Sequence, residues 1–437
     1  MRAHTKIKID RLIGGPLCWL LNLLARCAGT VLRRDHRIPP ADVQVICVAK
    51  YAGMGSILSA LPLVIALKDR YPHAKLVFIS SSKNAALLER VTTIDERLYV
   101  AEDSLKAVAL STLALCLRLW RLHPALYIDL ELYSYYASLV AVLSGARNRL
   151  GFYRQSTAFK RGLFTHLVFF NTTVPVHESY LQLGYVADCS TPEPVAENNG
   201  KRQLCIQQRD RDEVQAVLNN WGKHPAPLLV VNPNASDLCL ERRWPLERFV
   251  AVITALLDKL PALSVALTGA PAEHAYVARL HTLLASYEHR VANLAGKLSL
   301  GGLLALLERA DCVLTNDSGP MHMAFTLSRP TVALFGPVHP KHYTMLADCT
   351  RTIIFYEPVV CSPCLHHSDV PPCGGDNQCM KLIRTDGVIA TCLAFLSPES
   401  RQQQRLPQQW LPLGPESTVK QVDGQPLGRV LLRPTAF

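Results

Sequence analysis

The feature that most constrains the fold of this chain is an alternation of short apolar runs with helical patterns, which occurs once in each half. The first half has runs of strand length at residues 43–49, 75–80 and 125–130. The second half has four, at residues 228–232, 263–269, 312–315 and 331–335. Strands that alternate with helices pair in parallel. The sequence therefore predicts an α/β protein with two doubly wound Rossmann-like domains, and two such domains facing each other would enclose an interdomain cleft.

Composition changes suggest where these domains begin and end. A polar, proline-containing stretch separates the halves, and from residue 398 the chain is rich in Gln and Pro, which is typical of a flexible tail. We expect five parts: an N-terminal segment at 1–40, a first Rossmann-like domain at 41–189, a linker at 190–200, a second Rossmann-like domain at 201–397 and a flexible tail at 398–437.

The N-terminal segment is both basic and apolar. Residues 1–40 hold eight lysines and arginines against two aspartates, and they flank an uncharged run from Leu12 to Ala25. That run is shorter than the roughly 20 residues needed to cross a bilayer. A helix of this kind lies on an anionic membrane surface. A cleaved signal peptide and a helix packed on the protein itself are the alternatives.

Two further properties bear on partners and compartment. The fourteen cysteines are scattered, and most stand singly in apolar runs, which favours a reducing cytosolic compartment. The net charge of +11 is concentrated at the N-terminus, and no basic stripe interleaved with aromatic residues occurs elsewhere. We therefore expect no nucleic-acid partner.

The turn at residues 316–320 predicts a phosphate site. It follows an apolar run and opens a helix, and the first turn of a helix presents N–H groups without backbone partners. In open α/β sheets, ligands bind at the carboxyl ends of strands. Arg242, at the end of another loop, is a candidate clamp for a diphosphate because its planar guanidinium donates two parallel hydrogen bonds. An ordinary capped helix and a solvated arginine are the alternatives.

Five ordered blocks of sequence resemble glycosyltransferase family 9, whose best-known members are heptosyltransferases that use ADP-heptose and lipopolysaccharide. The blocks are residues 50–76, 231–249, 267–276, 293–311 and 315–340. The resemblance implies a GT-B architecture and inverting transfer that requires no cofactor for catalysis. It also implies a nucleotide-diphosphate sugar donor, bound mainly by the C-terminal domain.

The resemblance also assigns donor-binding residues. Arg242 corresponds to the basic residue that contacts the diphosphate, Glu273 to the acidic residue that reaches the ribose, and Asp317 to the turn carboxylate near the sugar. The full set expected to bind the donor is Asn234, Arg242, Glu273, Asp317, Ser318, Gly319, Pro320, Met321 and His322.

One position departs from the family pattern. Family members commonly have Gly-Asp in the first loop, where the aspartate is thought to deprotonate the acceptor hydroxyl, whereas this chain has Gly55 followed by Ser56. A serine hydroxyl is not a base near neutral pH, and losing a general base costs about 10²–10⁴ in rate. Glu131 is our preferred substitute, with Asp129 second. A helix cap is the alternative for Ser56, and a solvated or salt-bridged carboxylate for the other two.

Acceptor contacts are expected from Gly55 and from the basic, aromatic segment 147–161, which contains Arg154 and Lys160. That segment could bind an anionic acceptor such as a phosphorylated glycolipid, or form a solvated loop. Near the C-terminus, Cys361, Cys364, Cys373 and Cys379 offer four thiols for a structural zinc or iron ion. Reduced thiols or a reversible disulfide are the alternatives there.

The resemblance, together with the N-terminal segment, predicts a glycosyltransferase, peripheral on the cytoplasmic face of the inner membrane, that moves a sugar to a lipid-linked or cell-envelope glycan acceptor. The resemblance implies a heptose as the sugar, an acceptor domain at 41–189 and a nucleotide-sugar domain at 201–397, and the segment at 1–40 would associate with the membrane. A catalytically inactive scaffold that binds nucleotide sugars at the membrane is the alternative, and Ser56 is the residue that favours it.

Overall fold

The computed structural model describes residues 8–32, 35–189, 204–221, 227–235, 239–344, 351–368 and 370–397. The chain divides into two compact units, Met1–Ala196 and Glu197–Phe437. The linker expected at 190–200 and the tail expected at 398–437 lie outside the described residues.

The N-terminal unit contains a six-stranded parallel sheet with helices on both faces. Its strands are β1 Val45–Ala49, β2 Lys75–Ser81, β3 Glu96–Val100, β4 Leu126–Asp129, β5 Asn148–Tyr153 and β6 His166–Phe169. Its α-helices are α1 Gly15–Leu32, α2 Met54–Ser59, α3 Leu61–Arg70, α4 Ala85–Leu88, α5 Leu105–Leu122, α6 Tyr135–Leu143 and α7 Val176–Val186. The strand order is β3-β2-β1-β4-β5-β6.

The C-terminal unit repeats this plan. Its strands are β7 Leu228–Asn232, β8 Ser264–Leu267, β9 Val291–Asn293, β10 Cys312–Asn316, β11 Thr331–Phe335 and β12 Thr352–Tyr356. Its α-helices are α8 Gln208–Asn220, α9 Leu246–Lys259, α10 His274–Leu283, α11 Leu300–Arg309, α12 Gly319–Thr326, α13 Pro340–Tyr343, α14 Gln378–Lys381 and α15 Thr385–Leu396. The strand order is β12-β11-β10-β7-β8-β9.

Both sheets have the same doubly wound order when each is numbered from its own first strand. The order reverses between β1 and β4 in one unit and between β7 and β10 in the other. At such a reversal the connections leave toward opposite faces of the sheet, which opens a crevice at the carboxyl ends of the two strands. The prediction of two Rossmann-like parallel sheets is confirmed, and each unit has one such crevice position.

Each sheet is buried on both faces, which explains the uninterrupted apolar runs that predicted the strands. In the C-terminal unit Trp244 is fully buried and packs edge-to-face on Phe249, with ring centroids 5.1 Å apart. In the N-terminal unit Tyr127 of β4 is fully buried beneath α6. These cores hold the strand ends, and therefore the loops that follow them, in fixed positions.

The structure differs from the sequence expectation in several elements. The helix expected at about 57–70 is two helices, because the chain breaks at Ala60, just before Pro62. Five strands were not predicted: β3, β5, β6, β9 and β12. Of these, β3 and β6 are half-buried edge strands and β9 has only three residues, so none has the long apolar run of a central strand.

The N-terminal helix α1 packs on its own unit. A helical turn, Asp10–Gly14, precedes it, and both carboxylate oxygens of Asp10 accept backbone N–H groups at the start of α6, from Tyr135 at 3.0 Å and Tyr136 at 2.7 Å. The Asn22 amide donates to the carbonyl of Phe159 at 3.0 Å. No helix among the described residues combines the length and apolar content needed to cross a bilayer.

Candidate active site

The crevice position of the C-terminal unit is built by three asparagines. Asn232 ends β7, Asn316 ends β10, and Asn234 lies two residues beyond β7. The Asn316 amide donates to the carbonyl of Pro233 at 2.9 Å, and the Asn234 amide donates to the carbonyl of Thr268 at 2.9 Å. These bonds tie the loops after β7, β8 and β10 together, so that their backbones are held in place before any ligand arrives.

The start of α12 is left open toward a ligand. Ser318 is its N-cap residue, but the Ser318 hydroxyl makes no capping bond to the helix, and instead accepts a hydrogen bond from the Asn232 amide at 2.9 Å. Pro320 occupies the first turn, where its missing N–H costs nothing. The remaining N–H groups of the turn, on Gly319, Met321 and His322, are the type of donor that holds a phosphate.

An ion pair lies beside this helix start. A guanidinium nitrogen of Arg242, Nη1, is 3.3 Å from Oδ2 of Asp317, and their side chains are 23% and 5% exposed. Burial disfavours the charged guanidinium, but the Asp317 carboxylate, together with smaller contributions from Tyr343 and Cys239, outweighs it and raises the pKa of Arg242. Among the described residues, Nε of Arg242 and Oδ1 of Asn234 are buried and no hydrogen-bond partner is found for either atom. Buried polar groups are normally paired, so both atoms have hydrogen-bonding capacity that a bound phosphate or sugar could use.

Two other residues of the predicted donor set lie in the same turn of α12. His322 is buried, and burial together with the Arg242 charge lowers its pKa despite the opposing effect of Asp317. It is therefore a neutral imidazole near neutral pH. The Met321 side chain is fully buried in a small core with Phe335, so only its backbone N–H is left to face a ligand.

Glu273 occupies the turn before α10. Its carboxylate accepts the N–H of Ala270 at 2.7 Å and so caps its own turn. Nearby, a Cβ added to Gly269 would come within 2.8 Å of the Asn234 amide nitrogen. Only glycine allows this close approach of the β8 loop to Asn234. The ribose contact expected of Glu273 stays a prediction.

In the N-terminal unit the crevice position is occupied by Glu131. One carboxylate oxygen accepts a hydrogen bond from Lys50 at 2.7 Å, and the other accepts the N–H groups of Tyr51 and Ala52 at 2.8 and 3.0 Å. Burial disfavours the charge of Glu131, but Lys50 and the two N–H groups outweigh it and lower the pKa of this carboxyl. Glu131 is therefore ionised near neutral pH and fixes the beginning of the loop that leads to Ser56.

Ser56 and Gly55 lie in the first turns of α2, both half-buried. Gly53, which precedes this helix, has a φ of +84°, a backbone conformation that side chains other than glycine rarely adopt. The loop from Lys50 to Ser56 thus makes a sharp turn at the carboxyl end of β1. Its position beside Glu131 is the geometry that our choice of base requires, although the catalytic roles themselves stay predictions.

Asp129 and Lys160 require a correction. Their side chains form an ion pair of 3.0 Å that is completely buried, and the Lys160 ammonium also donates to the carbonyl of Glu131. Burial raises the pKa of Asp129, partly offset by Lys160. Neither side chain reaches the surface in this structure, so Lys160 is not placed to bind an acceptor and Asp129 is not placed to deprotonate one. The pair instead braces the strand end that carries Glu131.

The rest of segment 147–161 is not a solvated loop. Most of it forms β5 and a helical turn, Gln155–Lys160. Arg154, half-buried, donates from Nη1 to the hydroxyl of the exposed Tyr133 at 3.1 Å. Its contact with an acceptor stays a prediction.

The four cysteines near the C-terminus are free thiols. Cys361 is exposed, Cys364 and Cys379 are buried, and Cys373 is half-buried. Across the described stretches, no three His, Cys, Asp or Glu side chains are placed to hold a metal ion. The zinc or iron ion expected at these four thiols stays a prediction.

Several residues of these sites were missed by the sequence analysis. Lys50 neutralises Glu131, and Ser80 and Asn84 donate to the backbone carbonyls of Lys50 and Tyr51 at 2.6 and 2.9 Å. In the other unit, Asn316 joins two loops. The sequence does contain a signal for Lys50: a lysine directly after a buried strand needs a partner for its charge.

Two units of this topology are the two Rossmann-like domains of the GT-B fold. A structure of a family 9 glycosyltransferase from Veillonella parvula superposes with a TM-score of 0.68 at 20% identity, covering 82% of this chain and 99% of the other. The structure of the Escherichia coli ADP-heptose lipopolysaccharide heptosyltransferase II gives a TM-score of 0.63 at 20% identity, covering 83% and 100%.

The sequence profile of glycosyltransferase family 9 (heptosyltransferase) matches residues 133–373, more than half of the chain, and the chain belongs to this family. Lipopolysaccharide core heptosyltransferase OpsX of Haemophilus influenzae is 22% identical over 316 residues, which are 71% of this chain and 84% of that protein. Lipopolysaccharide heptosyltransferase 2 of Escherichia coli K12 is 34% identical over 113 residues, 26% of this chain and 32% of that protein. The protein is therefore a transferase of sugars.

Proposed function

We propose that this protein transfers a heptose from ADP-heptose to a lipid-linked acceptor of the lipopolysaccharide core, with inversion at the sugar. Both relatives are named as lipopolysaccharide heptosyltransferases, and the Haemophilus influenzae protein as a lipopolysaccharide core heptosyltransferase. A structure of the Escherichia coli heptosyltransferase WaaC with ADP-2-deoxy-2-fluoro heptose has the same fold, with a TM-score of 0.56. These names supply the sugar and the acceptor class, and the residues supply the reason to expect activity.

The observation that carries the proposal is the Arg242–Asp317 pair at the uncapped start of α12. A diphosphate placed on the N–H groups of Gly319, Met321 and His322 would also meet the guanidinium of Arg242, whose Nε has no partner among the described residues. Transfer releases the nucleoside diphosphate, so negative charge grows on the leaving phosphate during reaction. A fixed cation and fixed N–H dipoles stabilise that charge more than they stabilise the bound donor.

For the other half of the reaction, we assign the base to Glu131. It is ionised near neutral pH, and it lies at the carboxyl end of β4, beside the loop that bears Gly55 and Ser56. A lowered pKa makes a carboxylate a weaker base, so release from Lys50 during acceptor binding would be needed to strengthen it. Ser56 would then orient the acceptor hydroxyl rather than deprotonate it.

The site of action follows from the acceptor. A lipid-linked acceptor requires an enzyme that works at a membrane surface, and the basic segment at 1–40 gives the chain an attachment to anionic lipid. We place the protein on the cytoplasmic face of the inner membrane, where nucleotide sugars are available.

The test is a thermal-shift panel in which purified protein is offered ADP-, GDP- and UDP-sugars. We expect stabilisation by ADP-heptose and little by the other nucleotides. If no nucleotide sugar raised the melting temperature, the proposed donor site would be wrong. If the protein bound the donor but transferred no sugar in membranes that contain the native acceptor, the result would favour the inactive scaffold that Ser56 suggested.

A further inference from the structure

Helix α5 of the N-terminal unit exposes apolar residues where a surface helix normally exposes polar ones. Its outward line consists of Leu110, Leu113, Leu117 and Trp120, which are 58%, 56%, 43% and 49% exposed. Its inward line, with Leu115 and Leu119, is buried in the core. Both faces are therefore apolar. A helix that is apolar on its outer face is expected to be covered by something other than water.

Helix α1 has the same property. Gly14, in the turn before the helix, and Cys18 face the protein, whereas the opposite side exposes large apolar side chains. The exposed ones are Leu12 and Ile13 in that turn and Leu17, Trp19, Leu20, Leu23 and Leu24 in the helix, between 44% and 76% exposed.

The two helices belong to one layer of the N-terminal unit. Cys18 of α1, Leu119 of α5 and Val140 of α6 share a single core cluster with one face of the sheet. The Trp120 indole N–H donates to the carbonyl of Leu143 at 2.6 Å, which joins the end of α5 to the end of α6. The outward sides of α1 and α5 therefore both belong to the layer's outer surface, and we call that surface the apolar helix layer.

Within the helices of this layer, every charged residue is a cation. Neither α5 nor α6 contains an acidic residue, Glu102 and the exposed Asp103 stand just before α5, and Asp10, which precedes α1, turns inward to cap α6. Lys106 and Arg121, both exposed, stand at opposite ends of the outward line of α5. Apolar side chains bordered by cations, with tryptophans among them, match the acyl-chain boundary and the anionic headgroups of a bilayer.

We propose that the apolar helix layer is a membrane-docking surface, in which α5 inserts beside α1 into the headgroup region of an anionic bilayer. The N-terminal segment then does not act as a separate tether. Instead α5, within the folded unit, lies in the membrane plane, which fixes how the unit faces the bilayer. The inference concerns lipid binding alone and does not depend on the donor or the reaction.

The experiment is co-sedimentation of the full chain with vesicles of phosphatidylethanolamine and phosphatidylglycerol, compared with phosphatidylcholine alone. We expect wild type to bind the anionic vesicles. The double variant Leu113→Gln, Leu117→Gln should bind about tenfold more weakly, because two half-exposed leucines no longer contribute apolar burial. Lys106→Gln with Arg121→Gln should flatten the dependence of binding on salt.

A matched control makes the same change on the C-terminal unit. Leu283 and Leu382 are 56% and 52% exposed, so Leu283→Gln with Leu382→Gln removes comparable apolar surface and should leave vesicle binding unchanged. Leu20→Gln with Leu24→Gln tests α1 and should weaken binding without abolishing it. If the α5 double variant loses its thermal unfolding transition, Leu110→Gln on the same line replaces it.

Three results would overturn the inference. One is vesicle binding of the α5 variant equal to that of wild type, which would leave α1 as the sole anchor. Another is a wild type that binds neither vesicle. The last is a dimer in solution that the α5 substitutions dissociate, since the layer would then be covered by a second copy. If the protein bound vesicles but no ADP-sugar, this inference would stand and the proposed function would be wrong.

Discussion

The ammonium of Lys50 lies 2.7 Å from the carboxylate of Glu131, and the two side chains are only 9% and 14% exposed. Lys50 follows β1 and Glu131 follows β4, the two strands at which the order of the N-terminal sheet reverses. The pair therefore lies at the crevice position of that unit, at the carboxyl ends of β1 and β4. It also holds the loop that leads to Ser56 against the neighbouring strand.

Replacing Glu131 with Gln should destabilise β1 and β4 by about 3 kcal/mol, because Lys50 is left as a buried charge without its partner. Hydrogen exchange of amides in the two strands measures this locally. The folded pKa of Glu131 lies below its usual 4.5, so its stabilisation is present above pH 4.5 and is lost as pH falls through the folded value. The stability difference between Glu131→Gln and wild type in these strands should therefore become smaller below pH 4.5. Asp188→Asn, which breaks a more exposed pair with Arg70, should cost much less, because solvent screens that pair.

The Asp129–Lys160 pair should show strong coupling. Either Asp129→Asn or Lys160→Met alone leaves a completely buried group without its partner and should cost about 3–5 kcal/mol. The double variant should recover most of that loss, since it removes both charges. Urea unfolding of the four proteins gives the coupling energy. Additive losses would mean that the two groups do not depend on each other.

The sequence predicted the central strands and the strand-to-helix turn at 316–320 well, and for a physical reason. Strands such as β7 and β11 are buried on both faces, so their composition alone marks them. The turn at 316–320 has residues that only a strand-to-helix connection needs. The edge strands β3 and β6 are half exposed, and their composition is not distinctive.

The errors at the site have a different origin. Segment 147–161 looked like a basic, ligand-binding loop because its positive charges were counted without their partners. Lys160 lies 31 positions from Asp129 in sequence, and their contact depends on β4 and β5 pairing side by side. A local pattern does not contain that information. Likewise, the position of Lys50 indicates that its charge needs a partner, but only the pairing of β1 with β4 shows that this partner is Glu131.

If Glu131 is the base, Glu131→Gln should lower kcat by about 10²–10⁴ while the KM for the donor changes little, because the donor is held by the other unit. Lys50→Met is the matched control: it breaks the same ion pair but retains the carboxylate, so it should lose far less activity. Steady-state release of ADP measures both. Equal losses in the two variants would mean that the ion pair matters for folding and that the base lies elsewhere.

The cysteine loop should react unevenly with alkylating reagents. Cys361 is exposed and should be modified quickly, whereas burial raises the pKa of Cys379 to about 12 and should make it slow. Mass spectrometry of a timed reaction with iodoacetamide gives both rates. Slow alkylation of Cys361 that becomes fast when a chelator is added, with zinc or iron found by elemental analysis, is the opposite result. It would show that the four thiols rearrange around a metal ion.

The most direct test of the whole account is calorimetric titration of ADP into wild type, Arg242→Gln and Arg248→Gln. Arg248 is an exposed arginine six residues away and serves as the control. We predict that Arg242→Gln weakens binding by about 10- to 100-fold, the loss of charge-assisted hydrogen bonds to the diphosphate, and that Arg248→Gln binds like wild type. Equal affinity of ADP for all three proteins, or no binding by wild type, would contradict the placement of the donor diphosphate at the start of α12.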